Sequence, residues 1–190
     1  MRWVSLVVAL ACLPAMAQDP RFSNKLSPYV RTPDRIMDRM LELANIKPGD
    51  TVYDLGCGDG RIVCTAAKKF KCKAYGFDID PVRIKESEAN KAKLDKDIQK
   101  LVTFEKKNIF DLDLSGVTVV TLYLLPDVNV RLIPQLKKLK EGSRIVSHDF
   151  DIRGVTADKG FPIKIKSPGD SFKEDHEIYK WTVPLKFEKE

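Results

Sequence analysis

Two histidines and four cysteines are all the imidazole and thiol metal ligands in this 190-residue chain, and no CxxC pair occurs. A disulfide framework or a cysteine-built zinc site needs more than that. With Cys12 inside the apolar start of the chain, Cys57, Cys64 and Cys72 remain, an odd set best read as small buried or loop thiols. His148 and His176 are too few for a His-rich metal site, so no metal is expected. There is no internal repeat, which excludes a solenoid. Ten glycines and eleven prolines are too few for a collagen-like or linker-dominated chain. Neither sign of charge is scarce: 33 Lys and Arg face 27 Asp and Glu, for a net charge of +6. That excess favours acidic partners without requiring nucleic acid. With 43% hydrophobic and 32% charged residues the chain is globular, of a size for one domain.

The N-terminus differs from the rest. Met1-Arg2 is a positive start, Trp3 to Leu13 is an apolar run, and Ala15-Met16-Ala17 follows Pro14. That order reads as a signal peptide over residues 1–17, cleaved after Ala17, and predicts an exported or periplasmic location. The run is shorter than the roughly 17–25 residues of a membrane span, so no stable span is expected after cleavage. An uncleaved membrane anchor, or a start codon set too early in a cytoplasmic protein, is the alternative. Residues 18–31 read as an N-terminal arm and 32–190 as one domain, with no linker dividing it.

Within the domain, helical and strand patterns alternate. Thr32-Pro33-Asp34 is a helix start, with Thr32 as cap and Pro33 in the first turn. Ile36, Met37, Met40, Leu41 and Ala44 form its apolar face. Strands are expected at Thr51 to Leu55, Lys73 to Asp78, Val102 to Glu105, Val117 to Leu122 and Arg144 to His148. Helices are expected at Arg61 to Phe70, Pro81 to Leu94 and Val130 to Leu139. Phe161 to Lys166 and Glu177 to Val183 read as two successive late strands. The alternation predicts a doubly wound, Rossmann-like α/β sheet of seven strands with an antiparallel edge.

The segment Asp54-Leu-Gly-Cys-Gly-Asp-Gly60 joins the first strand to a helix. Glycines let the backbone turn tightly and approach a ligand, and the helix start offers free N–H groups. Asp78 ends the second strand, where a carboxylate accepts the hydroxyls of a ribose. The third glycine comes one position early for a dinucleotide fingerprint. Asp54 would repel a pyrophosphate but suits a cationic amine. S-adenosyl-L-methionine carries an ammonium, a ribose diol and no phosphate, and is preferred over NAD.

The glycine loop, Gly76-Phe-Asp-Ile79 and the terminal strands resemble class I S-adenosylmethionine-dependent methyltransferases. Pro28-Tyr-Val-Arg-Thr-Pro33, Met40-Leu-Glu-Leu-Ala44, Val119-Val-Thr-Leu-Tyr-Leu-Leu125 and Arg144-Ile-Val-Ser-His-Asp-Phe150 are most similar to the archaeal broad-specificity protein lysine methyltransferases. Mitochondrial relatives that methylate a lysine of the ATP synthase c subunit share the pattern. The resemblance spans about Pro28 to Pro184. It implies that Asp54, Gly56 and Gly58 hold the methionyl end, Asp78 the ribose, and Asn108 and Ile109 the adenine. Tyr29 and Thr32 would fold over the cofactor. Arg31 stands where relatives usually have Pro. Asn108 could instead cap a turn before Phe110, Tyr29 could be ordinary packing, and His148 suits a structural hydrogen bond better than a general base.

Methyl transfer from a sulfonium expels a neutral leaving group, so orientation and desolvation can carry the catalysis. No catalytic residue is fixed by the pattern; Tyr123, after the central strand, is a candidate by position. Tyr123-Leu-Leu-Pro-Asp127 lacks the Asn/Asp-Pro-Pro-Tyr signature of adenine and glutamine methylation, and 190 residues leave no room for a target-recognition domain, so a nucleic-acid partner is not expected. The resulting expectation is a methyltransferase of protein lysine side chains, with a monomer favoured. The alternatives are a small-molecule methyltransferase and a non-catalytic exported nucleoside-binding domain.

Overall fold

The computed structural model describes residues 29–170 and 173–188. The leader expected over residues 1–17 and all of the arm before Tyr29 lie outside the described residues. In chain order the elements are α1 (Asp34–Leu43), β1 (Thr51–Leu55), α2 (Arg61–Phe70), β2 (Lys73–Asp78), α3 (Pro81–Lys91), α4 (Lys96–Gln99), β3 (Val102–Lys106), β4 (Val119–Leu122), α5 (Pro126–Leu136), β5 (Arg144–His148), β6 (Val155–Thr156), β7 (Ile163–Lys166), β8 (Asp175–Thr182) and β9 (Lys186–Phe187). A 3₁₀ turn at Ile109–Asp111 follows β3.

The main sheet has seven strands in the order β3-β2-β1-β4-β5-β8-β7. The first five are parallel. Strand β8 runs antiparallel both to β5 and to the edge strand β7, so the antiparallel pairing falls where the two late strands led one to expect it. A separate two-stranded sheet, β6 with β9, had no clear sequence signal because each strand is two residues long.

Alternation along the strands divides the core into two layers. Val52, Ala74, Val119, Val146 and Ile178 pack on one face with Ile36, Met40 and Leu41 of α1 and with Ile62, Val63, Ala66 and Ala67 of α2. Leu55, Phe77, Val120, Leu122, Ile145 and Trp181 pack on the other with Val128, Leu132 and Leu136 of α5. Chain order reverses between β1 and β4, which lie side by side at the centre of the sheet. Such a switch opens a crevice at the carboxyl ends of the strands.

Two expectations about helix starts are corrected. Thr32 does not cap α1. Pro33 occupies the cap position, its carbonyl accepts from Met37 N at 2.9 Å, and no side chain caps the helix. The Thr32 hydroxyl is instead 3.2 Å from Nδ1 of His148, a buried imidazole that needs the partner more than a solvent-facing helix end does. Helix α5 begins at Pro126, four residues before the expected start, and ends at Leu136. Pro126 has the fixed φ that suits the first turn of a helix. The apolar stripe beginning at Val130 obscured that signal.

Candidate active site

A cavity of about 430 Å³ opens at the carboxyl ends of β1, β2 and β4, within the range of small-molecule sites. Every residue singled out from the sequence reaches it: Tyr29, Thr32, Asp54, Gly56, Gly58, Asp78, Asn108, Ile109 and Tyr123 all line its wall.

The floor is the glycine loop. Gly56 and Cys57 donate their N–H groups to the Phe77 carbonyl at 2.8 and 3.0 Å, tying the loop to the end of β2. Gly58 and Gly60 have φ of +55° and +75°, conformations that L side chains rarely adopt. A Cβ on Gly60 would lie 2.4 Å from Phe104 Cζ, so the glycine also lets the loop settle on β3.

Asp54 is the deepest polar group. It faces Thr121 across the β1–β4 ladder, and the Thr121 hydroxyl donates to its Oδ1 at 2.7 Å. Its Oδ2 is buried with no hydrogen-bond partner among the described residues. Burial, the largest influence, lifts the carboxyl from 3.8 to about 7; the Thr121 hydrogen bond opposes this and the nearby Asp78 and Asp59 charges reinforce it. A buried carboxylate oxygen without a partner is costly, and a cationic ligand in the cavity would remove the cost.

Asp78 is tied down differently. Its Oδ2 accepts from Gly58 N at 3.0 Å and its Oδ1 from Asp80 N at 2.9 Å. A carboxylate has about four lone-pair sites, so both oxygens keep capacity to accept from a diol. The same group therefore holds the glycine loop and faces the cavity.

The opposite wall is a loop with little ladder of its own. Asn108 Oδ1 accepts from Phe110 N at 3.1 Å, so the turn-capping reading of Asn108 holds for its oxygen while the residue still lines the cavity. Sequence reasoning missed Gln135. Its buried Nε2 lies 3.1, 2.8 and 2.9 Å from the carbonyls of Ile109, Phe110 and Leu112, and so fastens this loop to α5. A lone glutamine on a helical stripe gives no sign of such a role.

The mouth carries the remaining positions. The Tyr29 ring lies against Gly58, its hydroxyl hydrogen-bonds Asp59, and the Arg83 guanidinium sits 4.4 Å from its centroid. Asp59 also receives Arg61 Nε at 2.9 Å. The Tyr123 ring packs against His148 at a tilt of 36° with centroids 3.9 Å apart, and burial pushes its hydroxyl up to about 12. It therefore stays protonated at neutral pH and can donate a hydrogen bond. The Thr32 hydroxyl is committed to His148, so what Thr32 offers the cavity is its placement of the arm.

A doubly wound sheet, a glycine loop at its switch point and two acids at adjacent strand ends define an S-adenosylmethionine-dependent methyltransferase. The cavity suits this cofactor: the Asp54 oxygen left without a hydrogen bond among the described residues would answer an ammonium, and the Asp78 oxygens a ribose. The chain belongs to the family described as the ANTKMT methyltransferase domain, which matches residues 54–159. It is 50% identical over 129 residues to a protein-lysine N-methyltransferase of Saccharolobus islandicus, covering 67% of this chain and 79% of the relative. It is 25% identical over 154 residues to a lysine N-methyltransferase of Caenorhabditis elegans named for the ATP synthase c subunit, covering 78% of each. Among solved structures, an RNA methyltransferase from Salinibacter ruber in complex with S-adenosyl-L-homocysteine superposes with a TM-score of 0.70 at 39% identity, over 85% of this chain and 98% of that one.

Proposed function

We propose that this methyltransferase transfers its methyl group to lysine side chains of proteins. The observation that carries the reading is the 50% identity to a protein-lysine N-methyltransferase over most of that enzyme's length. The bound cofactor supplies an electrophilic methyl group on a sulfonium. Asp54, Gly56 and Gly58 hold its methionyl end, Asp78 its ribose, and Asn108 and Ile109 its adenine. Tyr29, fixed over the glycine loop, excludes water from the reacting end. Tyr123, with His148 and Phe150 packed against it, lines the side from which the amine enters. Loss of water when the substrate docks disfavours an ammonium there and so favours the free amine that attacks. No side chain is assigned as general base.

A second reading follows from the likeness to the Salinibacter ruber RNA methyltransferase: an RNA substrate. One experiment separates the two. The purified chain is incubated with methyl-labelled cofactor and either a protein lysate freed of nucleic acid or total RNA freed of protein. Label in protein, located on lysine by mass spectrometry, supports the proposal; label confined to RNA, or to small molecules, overturns it.

We also propose that the chain is exported, on the positive start, apolar run and Ala15-Met16-Ala17. N-terminal sequencing of the native protein should read from Gln18; a Met1 start in the soluble cytosolic fraction would overturn it.

A further inference from the structure

Behind the aromatic wall lies a polar cluster that methyl transfer does not use. Strand β5 ends at His148 and β8 lies beside it, with His148 opposite Ile178 in the ladder. His176 enters from that neighbouring strand. Asp149 follows His148 with φ of +60°, a left-handed conformation uncommon outside glycine, which turns its carboxylate back toward both rings. His148 and His176 are 0% and 2% exposed.

We propose that His148, Asp149 and His176 form a binding site for one divalent metal ion of the zinc class. His148 Nε2 and His176 Nδ1 are 2.8 Å apart, and Asp149 Oδ2 lies 3.4 and 3.2 Å from them. With bonds of about 2.0–2.1 Å, the ligand atoms around tetrahedral zinc are about 3.3 Å apart. The three atoms thus make a triangle the size of one face of that tetrahedron.

The outer ring nitrogens support the same assignment. His148 Nδ1 is 3.2 Å from the Thr32 hydroxyl oxygen, and His176 Nε2 is 3.5 Å from Asp170 Oδ2. The Thr32 oxygen can accept an N–H from His148 Nδ1, while His176 Nε2 makes no hydrogen bond among the described residues and has the Asp170 carboxylate within ion-pair distance. With the ring protons placed on these outer nitrogens, both inner nitrogens present lone pairs to each other and to a carboxylate oxygen. Three lone pairs converging in a buried site repel one another unless a cation sits among them. The other Asp149 oxygen is held by Glu177 N at 2.9 Å and Lys173 Nζ at 3.0 Å, which fixes the direction of Oδ2. Outer partners of this kind orient ligands in metal sites. Two imidazoles and one carboxylate suit zinc-class ions, whereas calcium and magnesium favour all-oxygen sets.

The count of two histidines gives no sign of this cluster, because Asp149 and the pairing of β8 with β5 complete it. The ion would brace the ends of β5 and β8 behind Tyr123 and Thr32, both of which line the cavity.

The test uses the full chain, purified without a histidine tag, stripped with chelator and titrated with cobalt(II) alone. The expected result is one equivalent bound, with the visible absorption of a low-coordinate cobalt site, displacement by zinc, and a melting temperature that rises with zinc concentration. Asp149→Asn and His176→Gln should each abolish the stoichiometric band. Asp170→Asn should keep the band and weaken binding by about tenfold or more. Circular dichroism checks that the variants fold, and the wild-type titration stands without them. No band and no metal retained by the wild-type chain, or an unchanged titration in the folded Asp149→Asn variant, would overturn the proposal. The first of those outcomes would assign the short His148–His176 contact to a shared proton.

Discussion

The ring of Tyr29 and the backbone of Gly58 are in such close apposition that a Cβ on Gly58 would lie 2.4 Å from Tyr29 Cε2. The first described residue of the arm is thereby seated on the cofactor loop, and the missing side chain of the glycine is the space it occupies. Gly58→Ala should therefore weaken S-adenosylhomocysteine binding by more than the backbone cost of a left-handed alanine, about 1–2 kcal/mol. In a Tyr29→Ala background the same substitution should cost less, because the steric part is gone. A double-mutant cycle by calorimetry measures the difference, and strict additivity would show that the contact is idle.

Asp78 holds Gly58 and Asp80 while facing the cavity. Asp78→Ala should cost about 1.5–3 kcal/mol of cofactor affinity, roughly 10- to 150-fold in Kd, with NAD binding undetectable in wild type and variant alike. Unchanged affinity, or measurable NAD binding by the wild type, would remove Asp78 from the ribose site.

For Asp54 the pH dependence has a definite sign. The carboxyl titrates at about 7 in the folded chain against 3.8 for the ordinary group. Without ligand, the folded state binds the extra proton between those values, so stability should fall as pH rises through this window and level off above it. An ammonium prefers the ionised carboxylate, so affinity for the cofactor product should rise from about pH 6 to about pH 8 and then plateau. Below pH 7, binding should release a proton, seen as a calorimetric enthalpy that depends on the buffer. Asp54→Asn should abolish both signatures, and a buffer-independent enthalpy at pH 6 in the wild type would count against the pairing.

Arg144 opens β5 and reaches back to the α1–β1 connection. Its Nε donates to the Ala44 carbonyl at 3.0 Å and its guanidinium pairs with Asp50. Burial alone would raise the Asp50 carboxyl, but hydrogen bonds from Arg144 and from Lys47 N outweigh it and hold the group below its ordinary range. The pair is mostly shielded from solvent, so Arg144→Met should cost about 2 kcal/mol, or about 4–8 °C in Tm at this chain length, without altering cofactor affinity in the folded protein. An unchanged Tm would mean that water replaces the pair at no cost.

Which parts of the molecule were legible depended on the range over which the residues interact. The glycine loop and the acids ending β1 and β2 are local: a few consecutive residues fix the turn, and strand periodicity places the carboxylates. The seven strands of a doubly wound sheet with an antiparallel edge followed from the same alternation. Thr32 was misread because a threonine before Pro-Asp looks like a cap, and only the folded chain reveals a buried imidazole competing for its hydroxyl. Gln135 was invisible because its partners are three backbone carbonyls, which carry no side-chain signature. His148 and His176 likewise come into contact only when β8 inserts beside β5.

The bond between Thr32 and His148 closes a loop of 116 residues. Contacts of such separation reward the chain only after the intervening sheet has been ordered. A nascent chain that has emerged as far as β4 already holds the glycine loop, Asp54 and Asp78, and the Gly58, Asp59 and Arg83 that seat Tyr29, but not the imidazole that ties Thr32. The second fastening of the arm therefore arrives with β5, late in synthesis, and a product truncated before His148 would keep the signature of the family with its cavity mouth fastened at Tyr29 but not at Thr32.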